Sequence, residues 1–334
     1  MRAYEIQSFG LPNLRQVERA PSPVGPREVR VRVRAVSLNF RDLLTVNGLY
    51  NPKQKLPLVP CSDGSGEVVE VGTGVTRVKV GDRVMASFAQ GWESGAPTLE
   101  KLRTTLGGPR DGMLQDEIVL SESGLVKVPS NLTFAEAATL PCAAVTAWSA
   151  LDQANLQSGQ TVLLQGTGGV SLFALQFAKL RGARAIITSK SDEKLARAKA
   201  LGADIGINYT STPEWGKAAR SHTEEGVDLV VEVGGGGTME QSIRATRPGG
   251  TIALIGVLAG VSTELLLTPV LMQNIRIQGV IVGHREMFEA MNRAIAVGGL
   301  HPVIGETHAW DAAPEAFSHM ADGTHFGKIV IERA

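Results

Sequence analysis

Cysteine is nearly missing from this chain: among 334 residues only Cys61 and Cys142 occur, and they are not spaced as a redox or metal pair. A disulfide framework is not expected, which fits a reducing compartment. Neither sign of charge is in surplus. Lys+Arg and Asp+Glu both number 33, so no bulk field would draw in nucleic acid or an anionic membrane. Aromatics make up 5% of the chain and form no stripe with basic residues of the kind that binds single-stranded RNA. No apolar run approaches transmembrane length, and the opening MRAYEIQSFG lacks the apolar core of a signal peptide. Cytoplasm is therefore the expected location. His222, His284, His301, His308, His319 and His325 include no pair at i,i+3 or i,i+4, so each is expected to be an ordinary surface or core histidine.

What is present is a soluble globular composition, 43% hydrophobic and 20% charged, long enough for about two domains. Up to about residue 125 the pattern is β-rich. Val29 to Val36 alternates apolar and basic residues, as in a half-buried strand whose arginines are solvated. Glycine-punctuated short strands follow at Gly64–Val71 and Lys79–Met85, which suggests an antiparallel barrel or roll. Ala89 to Pro109 has no period and reads as a long loop, whereas Phe134 to Leu151 reads as one helix. Beyond it, strands and helices alternate strictly from Thr161 to Ile255, the signature of a doubly wound parallel sheet. The tail contains strand Ile275–Val282, helix Met287–Val297 and a final strand Gly327–Ile331.

The chemistry concentrates in Thr161 to Ala183, a buried strand, a glycine turn and an amphipathic helix. The turn, Gly166, Thr167, Gly168, Gly169, Val170 and Ser171, carries the first two glycines of a dinucleotide fingerprint and a serine at the third. Such glycines allow close approach of the backbone to a pyrophosphate, whose charge the helix N-terminus meets. About 20 residues on, where an acid would select NAD, stand Ser189 and Lys190, with Lys194 a turn later and Tyr209 after the third strand. Hydroxyls and lysines suit a 2′-phosphate, so NADPH is expected in preference to NADH.

Five motifs now stand in order: Asn39-Phe40-Arg41-Asp42, Gly64 to Gly72 (GSGEVVEVG), Val80 to Val84 (VGDRV), Cys142 to Ala147 (CAAVTA) and Gly166 to Val170 (GTGGV). Together they resemble the medium-chain dehydrogenase/reductase superfamily over essentially the whole chain. The resemblance implies an α/β protein, with a GroES-like β-rich catalytic domain (1–125 and 268–334) around a Rossmann doubly wound parallel sheet (126–267). Substrate and nicotinamide would meet between the two. It places Thr146, Val233, Gly234, Val282 and Gly283 around the nicotinamide, and implies a homodimer or higher homo-oligomer joined through a late strand near Arg276 to Val282.

Zinc members of that superfamily carry Cys where this chain has Asn39, and His-Glu where it has Ser62-Asp63; only Cys142 matches a ligand. Residues 86 to 125 also lack the four cysteines of a structural zinc lobe. No metal is expected, and Cys142 reads as a small packed residue. Asp42 and Asp63 read as structural hydrogen-bonding groups. The chain looks like the zinc-free quinone oxidoreductase branch, reducing a quinone, an enone or an aldehyde, with Tyr50 as the donor to substrate oxygen and Asn39 as a polar wall. A second pocket tyrosine common there is replaced by Leu44. The rival expectations are an NADP-dependent alcohol dehydrogenase and a non-catalytic nucleotide- or RNA-binding relative.

Overall fold

The computed structural model describes residues 1–333 and divides into two units, 1–145 with 283–333 and Thr146–Val282. Both joints lie later in the chain than the sequence reading placed them. The reason at the first is packing: Phe134–Ala138 buries Ala135 and Ala138 against Ala35 and Val330 of the first unit, and the Phe134 carbonyl accepts from Ser65 Oγ at 2.6 Å.

The first unit is built on a seven-stranded sheet ordered Ile304–Ala309, Lys328–Glu332, Glu28–Ser37, Asp63–Val71, Arg83–Ala86 and Leu125–Lys127, with Glu117–Ser121 also paired to Glu28–Ser37. All pairs are antiparallel except the first, which helix Ala313–Asp322 connects. Alternation in the central strand works as expected, since Val29, Val31 and Val33 are fully buried. Its arginines do not gather an anion. Arg30 pairs with Glu70 at 2.7 Å, Arg32 with Glu117 at 3.5 Å and Arg34 with Glu67 at 3.5 Å, each across to a neighbouring strand.

Two segments differ from expectation. The 89–109 stretch is not structureless: it contains helix Leu99–Leu102, Trp92 is buried with its indole N–H on the Gly95 carbonyl, and Lys101 Nζ ties the Ser94 and Ala96 carbonyls at 2.9 Å. Hydrogen bonds to backbone, not hydrophobic period, order it. The single helix expected over 134–151 is three pieces, Phe134–Ala138, a π-helical turn Leu140–Ala144, and Val145–Gln153. Pro141 has no N–H for the ladder, and the Cys142 N–H is taken by the Asp63 carboxylate at 3.0 Å. The tail also contains strand Ile304–Ala309 and helix Ala313–Asp322, which the sequence reading passed over.

The second unit contains the expected doubly wound sheet. Six parallel strands run in the order Ile205–Asn208, Arg184–Ser189, Thr161–Gln165, Val227–Glu232, Thr246–Leu254 and Arg276–Gly279. Arg184–Ser189 and Ile205–Asn208 thus lie on one side of Thr161–Gln165 and the last three strands on the other, and the sheet's switch point lies beside the glycine turn. Helix Gly169–Leu180 buries Phe173 and Phe177 with their rings stacked at 6.0 Å, and Trp148 meets Phe177 edge-on at 5.2 Å. Among the described residues, no helix is long and apolar enough to cross a membrane.

Candidate active-site clusters

In the second unit, the strand Thr161–Gln165 ends at Gly166, whose φ of 70° is open to glycine at little cost. Gly168 is the N-cap of the following helix in extended conformation. A Cβ placed on either glycine would meet nothing within 4 Å, so both backbones face open space at the helix N-terminus. Ser171, at the third glycine position, is buried and donates its hydroxyl to the Gln165 carbonyl at 2.6 Å, closing the turn that a glycine would only have left room for.

At the end of Arg184–Ser189, the Ser189 carbonyl accepts from Tyr209 N at 3.1 Å, and its hydroxyl accepts from Ser191 N at 3.2 Å. Ser191 caps the next helix by accepting from Lys194 N at 3.3 Å. Lys190 is exposed and Lys194 half-buried. Burial lowers the Lys194 pKa, and the charges of Lys190 and Arg197 lower it further, so positive charge is concentrated here. Asp192 and Glu193 are the acids in this helix's first turn, and the Asp192 carboxylate is engaged by Asn208 Nδ2 at 2.8 Å.

The loop after Val227–Glu232 is held by a residue the sequence reading did not single out. Glu232 is fully buried, and one of its carboxylate oxygens accepts from Gly234 N at 2.8 Å, Gly235 N at 2.9 Å and Thr238 Oγ1 at 2.6 Å. The other accepts from Gln165 Nε2 at 2.7 Å and from Ser242 Oγ. Gln165 completes the ring, its Oε1 accepting from Val233 N at 3.1 Å and Gly234 N at 3.2 Å. One carboxylate and one amide thereby fix the backbone of Val233 and Gly234. Thr146 is buried in helix Val145–Gln153, and Val282 is buried with φ 45°.

In the first unit, Asn39, Asp42, Ser62, Asp63, Cys142 and Lys328 gather in one polar cluster. Helix Phe40–Val46 begins here, with Asp42 accepting the Asn39 N–H at 2.8 Å. Asp63, fully buried, accepts from Ser62 Oγ at 2.7 Å and Cys142 N at 3.0 Å. Lys328 is also buried and donates to Leu38 O at 2.5 Å and Asn39 Oδ1 at 2.6 Å. Sequence reading missed this lysine because it lies 289 positions from Asn39. Burial holds the Cys142 thiol well above its ordinary value, and the Asp63 charge adds to the rise. The reading of Asp42 and Asp63 as structural groups agrees with these hydrogen bonds. Tyr50 is 48% exposed, and its ring lies over the Arg41 guanidinium at 4.9 Å. Arg41 lies the same distance from the Phe88 ring and is anchored to the Leu106 and Gly108 carbonyls at 3.0 and 3.1 Å, so Tyr50 rests on a fixed support. Gly283 opens the segment leading to helix Arg285–Gly298, where a Cβ would come within 2.8 Å of Val145 and Met287.

Burial raises the Asp63 carboxyl from 3.8 to about 6, although Lys328 pulls it down. Between those values the folded protein holds a proton that the unfolded chain has released. This group's contribution to stability therefore falls as pH rises from about 4 to about 6, by roughly 3 kcal/mol. Asp63→Asn should remove that component. Urea midpoints measured at pH 4.5 and 7 should drop more across the interval for wild type than for the variant; parallel profiles would refute the assignment.

Comparison with known proteins adds kinship. Residues 25–130 match the alcohol dehydrogenase GroES-like domain family, and residues 169–296 match the zinc-binding dehydrogenase family. A zinc-type alcohol dehydrogenase-like protein of Schizosaccharomyces pombe is 42% identical over 320 residues, covering 93% of this chain and 92% of its own. A solved NAD-dependent alcohol dehydrogenase superposes with TM-score 0.91 at 36% identity, covering 99% of both chains. A quinone oxidoreductase from Coxiella burnetii superposes with TM-score 0.83 at 27% identity, again covering 99% of both.

Proposed function

Since the chain belongs to the medium-chain dehydrogenase/reductase superfamily and is an NAD(P)H-dependent oxidoreductase, we propose that it reduces a quinone or an α,β-unsaturated carbonyl at the expense of NADPH, without zinc. The observation that carries this reading is the buried Lys328 ammonium, hydrogen-bonded to Asn39 among the positions where zinc relatives hold their metal. A zinc site needs converging thiolate, imidazole or carboxylate ligands. Here the matching groups are an amide engaged by Lys328, a hydroxyl donating to Asp63, a carboxylate engaged by Ser62 and the Cys142 N–H, and one thiol that is held protonated. A dication would meet the lysine's charge at close range, so the residues present do not fit zinc.

Lacking a Lewis acid, the site favours substrates whose developing negative charge spreads into an enolate or hydroquinone and needs only hydrogen-bond donors. When bound, NADPH supplies the hydride. The open backbone at Gly166 to Val170 accommodates its pyrophosphate, Ser189, Lys190, Lys194 and Tyr209 surround the 2′-phosphate, and Thr146, Val233, Gly234 and Val282 line the nicotinamide. Tyr50 donates to the substrate oxygen. Asn39 is a weaker candidate than its position suggested, because its Oδ1 is committed to Lys328.

Strand Arg276–Gly279 lies at the edge of its sheet, and Leu266, Leu267, Leu271 and Met272 nearby in sequence are strongly exposed, which supports a homodimer formed on that face. Residence in the cytoplasm belongs to the same proposal. The alcohol dehydrogenase reading is favoured by the names of two of the relatives. Alcohol-dependent NADP reduction that requires zinc, is lost in Cys142→Ser and survives His308→Gln would establish it in place of ours.

The test measures NADPH and NADH consumption against quinones, enones and aldehydes on metal-analysed protein, for wild type and Ser189→Asp. Turnover with a quinone or enone and a preference for NADPH are expected in wild type. The variant should lose NADPH efficiency by about tenfold or more through charge repulsion, with NADH relatively improved. No turnover with any acceptor ends the reductase reading, and an unchanged cofactor ratio ends the phosphate assignment.

A further inference from the structure

We infer that Glu306, His308 and His319 form a binding site for a divalent transition-metal ion of the zinc class, separate from the cluster around Asp63. Glu306 and His308 stand two apart on strand Ile304–Ala309, and period two puts both side chains on one face. Helix Ala313–Asp322, which leads from this strand to its parallel neighbour, supplies His319. Their ligand atoms all lie within 4.8 Å of one another. His319 Nδ1 contacts Glu306 Oε2, and His308 Nε2 is 3.7 Å from the same oxygen. The two rings are 5.8 Å apart at 80°, so they converge on the carboxylate without stacking.

A second observation points to a ligand. His308 Nε2 is buried and has no hydrogen-bond partner, a condition that costs free energy and that a metal bond would relieve. Among the described residues, the ion pairs of Glu306 are with these two histidines, so no lysine or arginine ion pair competes for its carboxylate. Tetrahedral coordination with bonds near 2.0 Å puts ligand atoms about 3.3 Å apart. The 3.7 Å pair is already close to that spacing, and the His319 and Glu306 groups, in direct contact, have to separate as the ion enters. Two imidazoles and a carboxylate suit zinc or cobalt better than magnesium or calcium, and they leave a position for water. The ion would tie the strand to the helix that returns from it, so binding should stabilise the fold.

The experiment titrates full-length, metal-stripped protein with Co²⁺ and follows visible absorption and thermal midpoint, using wild type, His308→Gln, His319→Gln and Cys142→Ser, with circular dichroism verifying the fold. Expected are one Co²⁺ per chain, d–d bands without thiolate charge transfer, and a raised midpoint, all lost in both histidine variants and retained in Cys142→Ser. Absence of stoichiometric binding, binding that survives both histidine substitutions, or binding lost in Cys142→Ser overturns the assignment. Reductase turnover is not part of the readout, so the proposed function can fail without affecting this result.

Discussion

Gly168→Val is expected to weaken NADPH binding by at least about 100-fold, close to 3 kcal/mol, while the protein remains folded. Gly168 lies at φ −80° and ψ 179°, a backbone open to any residue, and an added Cβ touches nothing within 4 Å. The cost to the fold should be confined to a poorer N-cap, about 1 kcal/mol. The new isopropyl group would occupy the space at the helix N-terminus through which the backbone approaches a pyrophosphate. The same change at Gly166, where φ is 70°, would confound binding with backbone strain, so Gly168 is the informative position. Fluorescence titration with NADPH and a thermal melt decide the matter. Binding within threefold of wild type would show that the turn does not carry the cofactor.

Glu232→Ala is expected to cost about 3 to 5 kcal/mol of folding stability, the largest effect of any single substitution considered. Truncation removes a fully buried carboxylate from Gly234 N, Gly235 N, Thr238 Oγ1, Gln165 Nε2 and Ser242 Oγ, of which Gly234 N keeps Gln165 Oε1, Gln165 Nε2 keeps Ser242 Oγ and Thr238 Oγ1 keeps the Gly235 carbonyl, while Gly235 N and Ser242 Oγ lose their acceptor. Buried donors without acceptors carry the desolvation cost of folding with nothing in return. Glu232→Gln should fall between the two, since its carbonyl keeps one side of the network while its NH₂ faces donors on the other. Val233 and Gly234 are aligned by the same network, so either variant should also raise the KM for NADPH before the protein unfolds. Urea unfolding measures the loss; a change below about 1 kcal/mol for the alanine variant would mean that water or a rearranged loop replaces the carboxylate.

These two residues show how differently functional groups register in a sequence. The glycine turn is legible because its parts are neighbours: a β-branched and aliphatic strand, two glycines and a 3.6-residue apolar period all fall within Thr161 to Ala183. Gln165 and Glu232 are 67 positions apart, and each lies in a run that reads simply as a buried strand. Ala89 to Pro109 misleads in the opposite direction. Its order comes from Lys101 and Trp92 bonding to carbonyls, which leaves no hydrophobic period to read.

The amino-acid order alone determined the two-part α/β organisation, the parallel sheet, the nucleotide turn and the scarcity of soft metal ligands, because periodicity, glycine chemistry and composition act over a few residues. Only the tertiary structure brought Lys328 to Asn39, beside Asp63 and Cys142, made Glu232 the anchor of the Val233–Gly234 loop, and set His319 against Glu306 and His308. Those groupings depend on which strands lie side by side. A buried charge finds its partners across the fold, where spacing along the chain carries no record of them.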